Sequence, residues 1–344
     1  MSDARFVKPP AVRPGDTVAI VAPASPFPED AFAAGLAELR RIGFEPVAGA
    51  RAFDRTGYVA GPAESRAAAL QAAFEDPSSR AILAARGGYG SVELLPWLDA
   101  EAIRRSPKLL VGYSDITALL AFLTTHCGVV AAHGPCVAAG LHLGPAGYDV
   151  PTLVRTMTSL EPLGVLPAPR MEALAAGEAS GVLLGGNLTQ LAASMGTPFA
   201  FDPPQGCVLF LEDVGERPYR IDRLLTQLTF AGIIERAAAV VFGEFPGCDE
   251  ADGSATARDV ALRRLRGFRG PVLWGLPAGH TAGPSLTLPL GVTARVVAGP
   301  SPFVEVLEPA VTAAANGSPL DLPSPIPNPQ SPIPAPGHQH RIDP

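Results

Sequence analysis

Tryptophan occurs only twice and cysteine four times in 344 residues, and charged side chains make up just 17% of the chain, against a usual share of about 25%. Lys and Arg number 26 and are outnumbered by 33 Asp and Glu, for a formal charge of −7. A protein built to grip a polyphosphate backbone needs a basic surface, so the charge balance argues against nucleic acid as a partner. Cys127, Cys136, Cys207 and Cys248 form no C-x-x-C pair and fit no common zinc spacing. They read as buried or half-buried thiols in a reducing compartment. No apolar run reaches the roughly 18 residues of a membrane span. The opening MSDARFVKPPAVRPGD has no apolar signal core. These absences predict a soluble, cytoplasmic protein with no membrane partner.

What is present is a large apolar fraction, 47%, in a chain long enough for two domains. The first half alternates short apolar runs with helical patterns. Strands are expected at 16–22 (DTVAIVA), 80–85, 108–112 and 129–132, and helices at 29–42, 63–75 and 116–125. Such alternation implies βαβ units and a mainly parallel sheet, covered on both faces. The pattern weakens over 161–180, which reads as a linker between an N-terminal domain (1–160) and a smaller mixed domain (181–312). That second half has strand signals at 207–211, 238–242, 285–290, 292–297 and 303–307. On its helix at 219–228, Ile221, Leu224, Leu225 and Leu228 share one buried face. A second helix, 256–266, is basic. From residue 313 to 344 the chain turns proline-rich with few large apolar residues, a composition that predicts a disordered or polyproline tail.

The sharpest local feature is Val111-Gly112-Tyr113-Ser114-Asp115. A strand runs into Gly-x-Ser and a helix starts at once, which is the logic of a nucleophile elbow at the carboxyl edge of an open sheet. The final glycine of G-x-S-x-G is replaced by Ile116, and Ser114 or Asp115 as a plain helix cap is the competing reading. A serine nucleophile needs a base. His338 and His340 fall in the tail, His126 ends a helix and His142 sits in a loop, leaving His133 (AAHGPC) and His280 (PAGHT). The orienting acid is sought at the end of the strand Val208–Leu211, where Glu212 follows four apolar residues; Glu216 in the next loop is the alternative. The turn Arg86-Gly87-Gly88-Tyr89-Gly90 lacks both P-loop and G-x-G-x-x-G spacing, and a Gly87 or Gly88 amide suits an oxyanion better. A second glycine turn, Gly185-Gly186-Asn187, either lines the same cleft or caps a helix. No His, Asp and Glu cluster has metal-ligand spacing, so a metal-independent enzyme without a cofactor is expected.

Taken in order, ARGGYG, KLLVGYSD, HGP, LLGGNL, LFLEDVGERPYRIDR and PAGHT resemble the LD-carboxypeptidases. These are muramoyltetrapeptide carboxypeptidases, a serine peptidase family that also contains the microcin C7 self-immunity proteins. The resemblance runs from about Val12 to Glu308. It implies a flavodoxin-like or class-I-amidotransferase-like N-terminal domain, a smaller β-rich C-terminal domain, a cleft between them and a homodimer. It also implies Ser114 as nucleophile, Glu212 as acid, His280 as base, and the Gly88 and Asp115 amides as the oxyanion hole. Arg86, Gly87 and Asn187 are the candidates for substrate binding, with the Arg86 guanidinium matched to a terminal carboxylate or else held in an ordinary surface ion pair. The implied substrate is a small muropeptide that loses its terminal D-alanine. The alternatives are the same triad acting on a peptidyl-nucleotide antibiotic, for which only Trp97 and Trp274 offer an indole to stack on, and a non-catalytic scaffold. The expected geometry brings Ser114 Oγ within hydrogen-bond reach of the His280 ring.

Overall fold

The computed structural model describes residues 6–313; the proline-rich segment with His338 and His340 lies outside the described residues. Four apolar runs and one further segment become the parallel strands Thr17–Val21 (β1), Glu45–Ala48 (β2), Ser79–Ala84 (β3), Leu109–Gly112 (β4) and Ala131–His133 (β5). Their sheet has the order β12-β5-β4-β3-β1-β2. The edge strand β12 (Leu288–Leu290) arrives from near the other end of the described chain and pairs antiparallel with β5, Leu288 opposite His133. Helices Glu29–Arg41 (α1), Ala63–Glu75 (α2), Ala100–Arg105 (α3) and Thr117–Thr125 (α4) fall between these strands, as right-handed crossovers require. Strand β2 was not anticipated. It is a four-residue edge strand containing Pro46, and proline weakens a strand signal while tolerating an edge.

The second sheet has the order β6-β14-β13-β8-β9-β10-β11-β7. Its members are Gly164–Val165 (β6), Glu172–Ala175 (β7), Gly177–Asn187 (β8), Cys207–Glu212 (β9), Ala237–Phe242 (β10), Val272–Trp274 (β11), Val292–Ala298 (β13) and Phe303–Val306 (β14). The centre β8-β9-β10-β11 is parallel and the flanks are antiparallel. Residues 161–180 are therefore not a featureless linker. They supply both outermost strands and the start of β8, short edge pieces with too few apolar residues to announce themselves in sequence. Helix Val150–Thr158 (α5), opened by the Asp149 cap on the Thr152 amide, precedes them and was also unanticipated.

The remaining helices are Leu188–Ser194 (α6), Pro218–Phe230 (α7), Ile233–Arg236 (α8) and Ala257–Arg264 (α9). On β9, Val208 and Phe210 belong to the core shared with the first sheet, whereas Cys207, Leu209 and Leu211 face the core under these helices. The period of two along a strand thus buries both faces of β9 and leaves its last residue, Glu212, fully buried at the junction. All four cysteines are free and buried. Burial pushes the thiols of Cys127 and Cys136 up to about 12, which keeps them protonated and inert.

Candidate active site

The Ser114 turn is strained. Ser114 has φ +64°, one of two non-glycine residues with positive φ among the described residues, a conformation that costs roughly 1–3 kcal/mol and concentrates at functional sites. Ser114–Ile116 form a 3₁₀ turn leading into α4, and no side chain caps either start. The cap reading of Ser114 and Asp115 is thereby removed. The Asp115 carboxylate instead accepts from the Ser91 amide (2.8 Å), while Ser91 Oγ donates to the Asp115 carbonyl (2.6 Å). These bonds tie the serine turn to the glycine turn. Burial pushes the Asp115 carboxyl up, the Ser91 contacts opposing it.

The glycine turn lies directly against the serine. A Cβ on Gly87 would stand 3.0 Å from Ser114 Cβ and 3.3 Å from its Oγ. Gly88 has φ +106°, and a Cβ there would fall 2.5 Å from Ser25 Oγ, so only glycine fits. Ser25 was not anticipated. It sits just past β1 on the same sheet edge, its amide donates to the Gly87 carbonyl (3.3 Å) and its Oγ accepts from the Tyr89 amide (3.1 Å). Among the described residues, the Gly88 and Asp115 amides donate to no protein acceptor.

A buried arginine holds this frame from behind. Arg66, 4% exposed, donates to the carbonyls of Gly61 (2.9 Å) and Gly90 (2.8 Å), to the Pro23 carbonyl (2.5 Å) and to Glu93. Replacing it with Leu strands three carbonyls under both loops, and a buried polar group left without its partner costs about 1–3 kcal/mol. The Arg66→Leu protein is expected to lose about 3 kcal/mol of unfolding free energy in urea titration; a loss below about 0.5 kcal/mol, the size of an ordinary surface substitution, would show that the clamp does not matter. Arg86, next to the glycine turn, is exposed and donates from Nη1 to the Pro26 carbonyl (2.9 Å). It forms no salt bridge among the described residues.

The acid and the candidate base meet at the end of β9. Glu212 Oε2 accepts from the His280 amide (2.9 Å) and from His280 Nδ1 (2.8 Å). This requires the proton on Nδ1 and leaves Nε2 as the basic nitrogen. The approach depends on Gly279 (φ +79°), where a Cβ would lie 2.6 Å from the Glu212 carboxyl carbon. Burial pushes the Glu212 carboxyl up, but its contacts with His133 and His280 outweigh this and hold it well below the usual carboxylate range. For His280, burial lowers the pKa and the Glu212 contact more than reverses it, leaving a net rise. Glu216, the alternative acid, pairs with Arg220 one turn along. His126 reaches the Ala200 carbonyl (3.3 Å).

The His280 ring packs against Tyr113, centroids 5.0 Å apart, beside Ser114. No hydrogen bond joins Ser114 Oγ to His280 in this structure, so the expected contact is not closed here; in substrate-free sites such bonds are often long and tighten on binding. A cleft of about 280 Å³ opens on this ring, lined by Tyr113, Pro135, Val214, Gly279, Thr281 and Ser285 among others, with no Asp, Glu, Lys or Arg in its wall. Asn187, opposite Glu212 in the β8–β9 register, caps α6 on the Gln190 amide and donates to Asp213 (3.1 Å), while its amide donates to Thr117 Oγ1 (3.0 Å). These bonds use one of the two Nδ2 hydrogens and one of the two Oδ1 lone pairs, and hold the buried side chain in place. Among the described residues, no group of three His, Cys, Asp or Glu side chains is arranged to hold a metal ion, and no helix is long and apolar enough to cross a membrane.

Family models described as the LD-carboxypeptidase N-terminal and C-terminal domains match residues 18–134 and 180–296. The chain is 41% identical over 295 residues to a putative carboxypeptidase of Streptomyces coelicolor, covering 85% of this chain and 93% of that one. It is 35% identical over 273 residues to the murein tetrapeptide carboxypeptidase of Pseudomonas aeruginosa, covering 77% and 88%. Among solved structures it is similar to MccF in complex with glutamyl sulfamoyl guanosine, with TM-score 0.83, 25% identity, and 89% and 99% of the two chains covered.

Proposed function

Since the chain belongs to the LD-carboxypeptidase family of serine-type peptidases, we propose that it releases the terminal D-alanine from murein tetrapeptides during cell-wall recycling, as a cytoplasmic homodimer. The observation that carries this reading is the Glu212–His280 bond at 2.8 Å, made beside the strained turn that displays Ser114. In the proposed sequence, His280 Nε2 takes the Ser114 proton as Oγ bonds to the scissile carbonyl carbon. The oxyanion is received by the Gly88 and Asp115 amides. The carbon–nitrogen bond then breaks, His280 returns the proton to the leaving amine, and D-alanine departs. Water, deprotonated by the same imidazole, hydrolyses the acyl-enzyme and regenerates Ser114. A cleft without ionised walls suits a methyl side chain. Arg86 stands outside the wall of this cleft with Nη1 engaged at Pro26; its remaining donors are the ones offered to the free carboxylate.

MccF supports a second reading, a peptidyl-nucleotide substrate on the same triad. Against it, Trp274 is stacked on Phe245 (5.1 Å, 20°) and committed to packing, and Trp97, though exposed, does not line the cleft at the His280 ring. The test is incubation with a tetrapeptide ending in D-alanine, its L-alanine counterpart and an aminoacyl sulfamoyl adenosine. Release from the D-form alone is expected. Release from the L-form alone, or turnover of the sulfamoyl nucleoside with neither peptide cleaved, would overturn the murein assignment.

A further inference from the structure

Glu212 has two carboxylate oxygens, and the triad uses only one. Oε1 is buried and accepts no hydrogen bond among the described residues. Facing it at 3.7 Å is Nε2 of His133, which is fully buried, with neither ring nitrogen making a hydrogen bond. An imidazole serving only to fill a core would be cheaper as Leu or Phe, because burying polar nitrogens without partners is unfavourable. Its neighbours on the other sides are apolar or aromatic, with Phe210 edge-on at 5.3 Å and Tyr113 at 6.2 Å. The only salt-bridge partner it has among the described residues is Glu212 Oε1. His133 also ends β5, opposite Gly112 of the serine strand and Leu288 of the returning edge strand. It therefore links the sheet that carries the nucleophile to the acid carried by the other sheet.

We infer that His133 is a positioning residue for the reaction, a second imidazole that donates from Nε2 to Glu212 Oε1 and so holds the carboxylate charged, with Oε2 aimed at His280. The inference rests on the Ser114–Glu212–His280 reading and adds a fourth side chain to it. Closing 3.7 Å to a hydrogen bond needs a shift of only about 0.7 Å. The other titratable groups packed round this pair are Tyr113 and Cys136 from the first sheet, Asp213 beside Glu212, and His280; Arg86 acts on Tyr113 from outside. Burial pushes Tyr113 and Cys136 upward, so both stay neutral. Asp213 is held by Asn187 and Thr189.

The sign of the pH effect follows. His280 works as a base only when neutral, and its raised pKa puts the acid limb of kcat/KM above the ordinary histidine value. Without the His133 donor, Oε1 is a bare buried anion. The His280 imidazolium then compensates the pair more strongly and releases its proton less readily. The limb moves to still higher pH.

The test compares pH profiles of wild type, His133→Leu, His133→Gln and His133→Asn on the D-alanine tetrapeptide, with Ser114→Ala alongside. His133→Leu should lose about tenfold or more in kcat, with KM within about twofold and the acid limb shifted up by about half a unit or more. His133→Gln, whose amide reaches as far as Nε2, should restore most of kcat and the limb. The shorter Asn should not. An unmoved Leu profile, or Gln as impaired as Leu, overturns the inference. Should the Leu protein fail to fold, Gln against Asn decides, and matching profiles overturn it. Activity surviving in Ser114→Ala would instead sink the triad reading.

Discussion

Ser114→Ala is expected to lower kcat by about 10⁵–10⁶, leaving the residual rate that binding and the oxyanion amides supply by themselves. The reason is chemical: Ser25 Oγ, the other hydroxyl beside Gly88, is engaged by the Tyr89 amide, and water would have to replace Ser114 Oγ unassisted. Ser114→Gly should be as inactive yet more stable. The serine is held at φ +64°, and glycine adopts that conformation without the roughly 1–3 kcal/mol of strain. Steady-state release of D-alanine and thermal unfolding of the two proteins check both halves. An alanine protein within tenfold of wild type removes Ser114 as nucleophile, and a glycine protein that melts lower than wild type removes the strain argument.

Glu212→Gln comes next in size, with an expected loss of about 10⁴ in kcat at nearly constant KM. The side chain keeps its shape but not its charge. Its NH2 in the place of Oε2 would confront the His280 backbone N–H from which this oxygen now accepts, and in the place of Oε1 it would confront His133 Nε2. Either orientation loosens the hold on the imidazole, and neither carries the charge that stabilises the imidazolium as it takes the serine proton. The substitution also removes the negative charge that raises the His280 pKa, so what activity remains should persist to lower pH than in the wild type. A pH profile of the variant reads both effects. Wild-type kcat, or a loss matched by Glu216→Gln, would show that the acid lies elsewhere.

Much of this site could be read from the residues. The serine elbow is local, because Gly-x-Ser between a strand and a helix constrains its own backbone. Glu212 stood out as a carboxylate at the end of an apolar strand, where solvent exposure and burial compete. The segments that escaped notice were weak for physical reasons: β2 holds a proline, β6 and β7 are short edge pieces, and α5 begins at a Val-Pro that resembles a loop. Ser25 and Arg66 gave no signal at all. A serine after a strand and an arginine on a helix look like any surface residue until three loops fold over them.

The strand–helix alternation of the first half and the chemistry-bearing turns were contained in the amino-acid pattern, since periodicity records which faces of a segment meet water. The return of Leu288–Leu290 to the edge of the first sheet was not. Neither was the placing of two histidines on opposite oxygens of one carboxylate. Such outcomes depend on pairing between residues far apart in the chain, such as His133 and Glu212. Their contact is set by how the two sheets pack together and not by any neighbour in sequence.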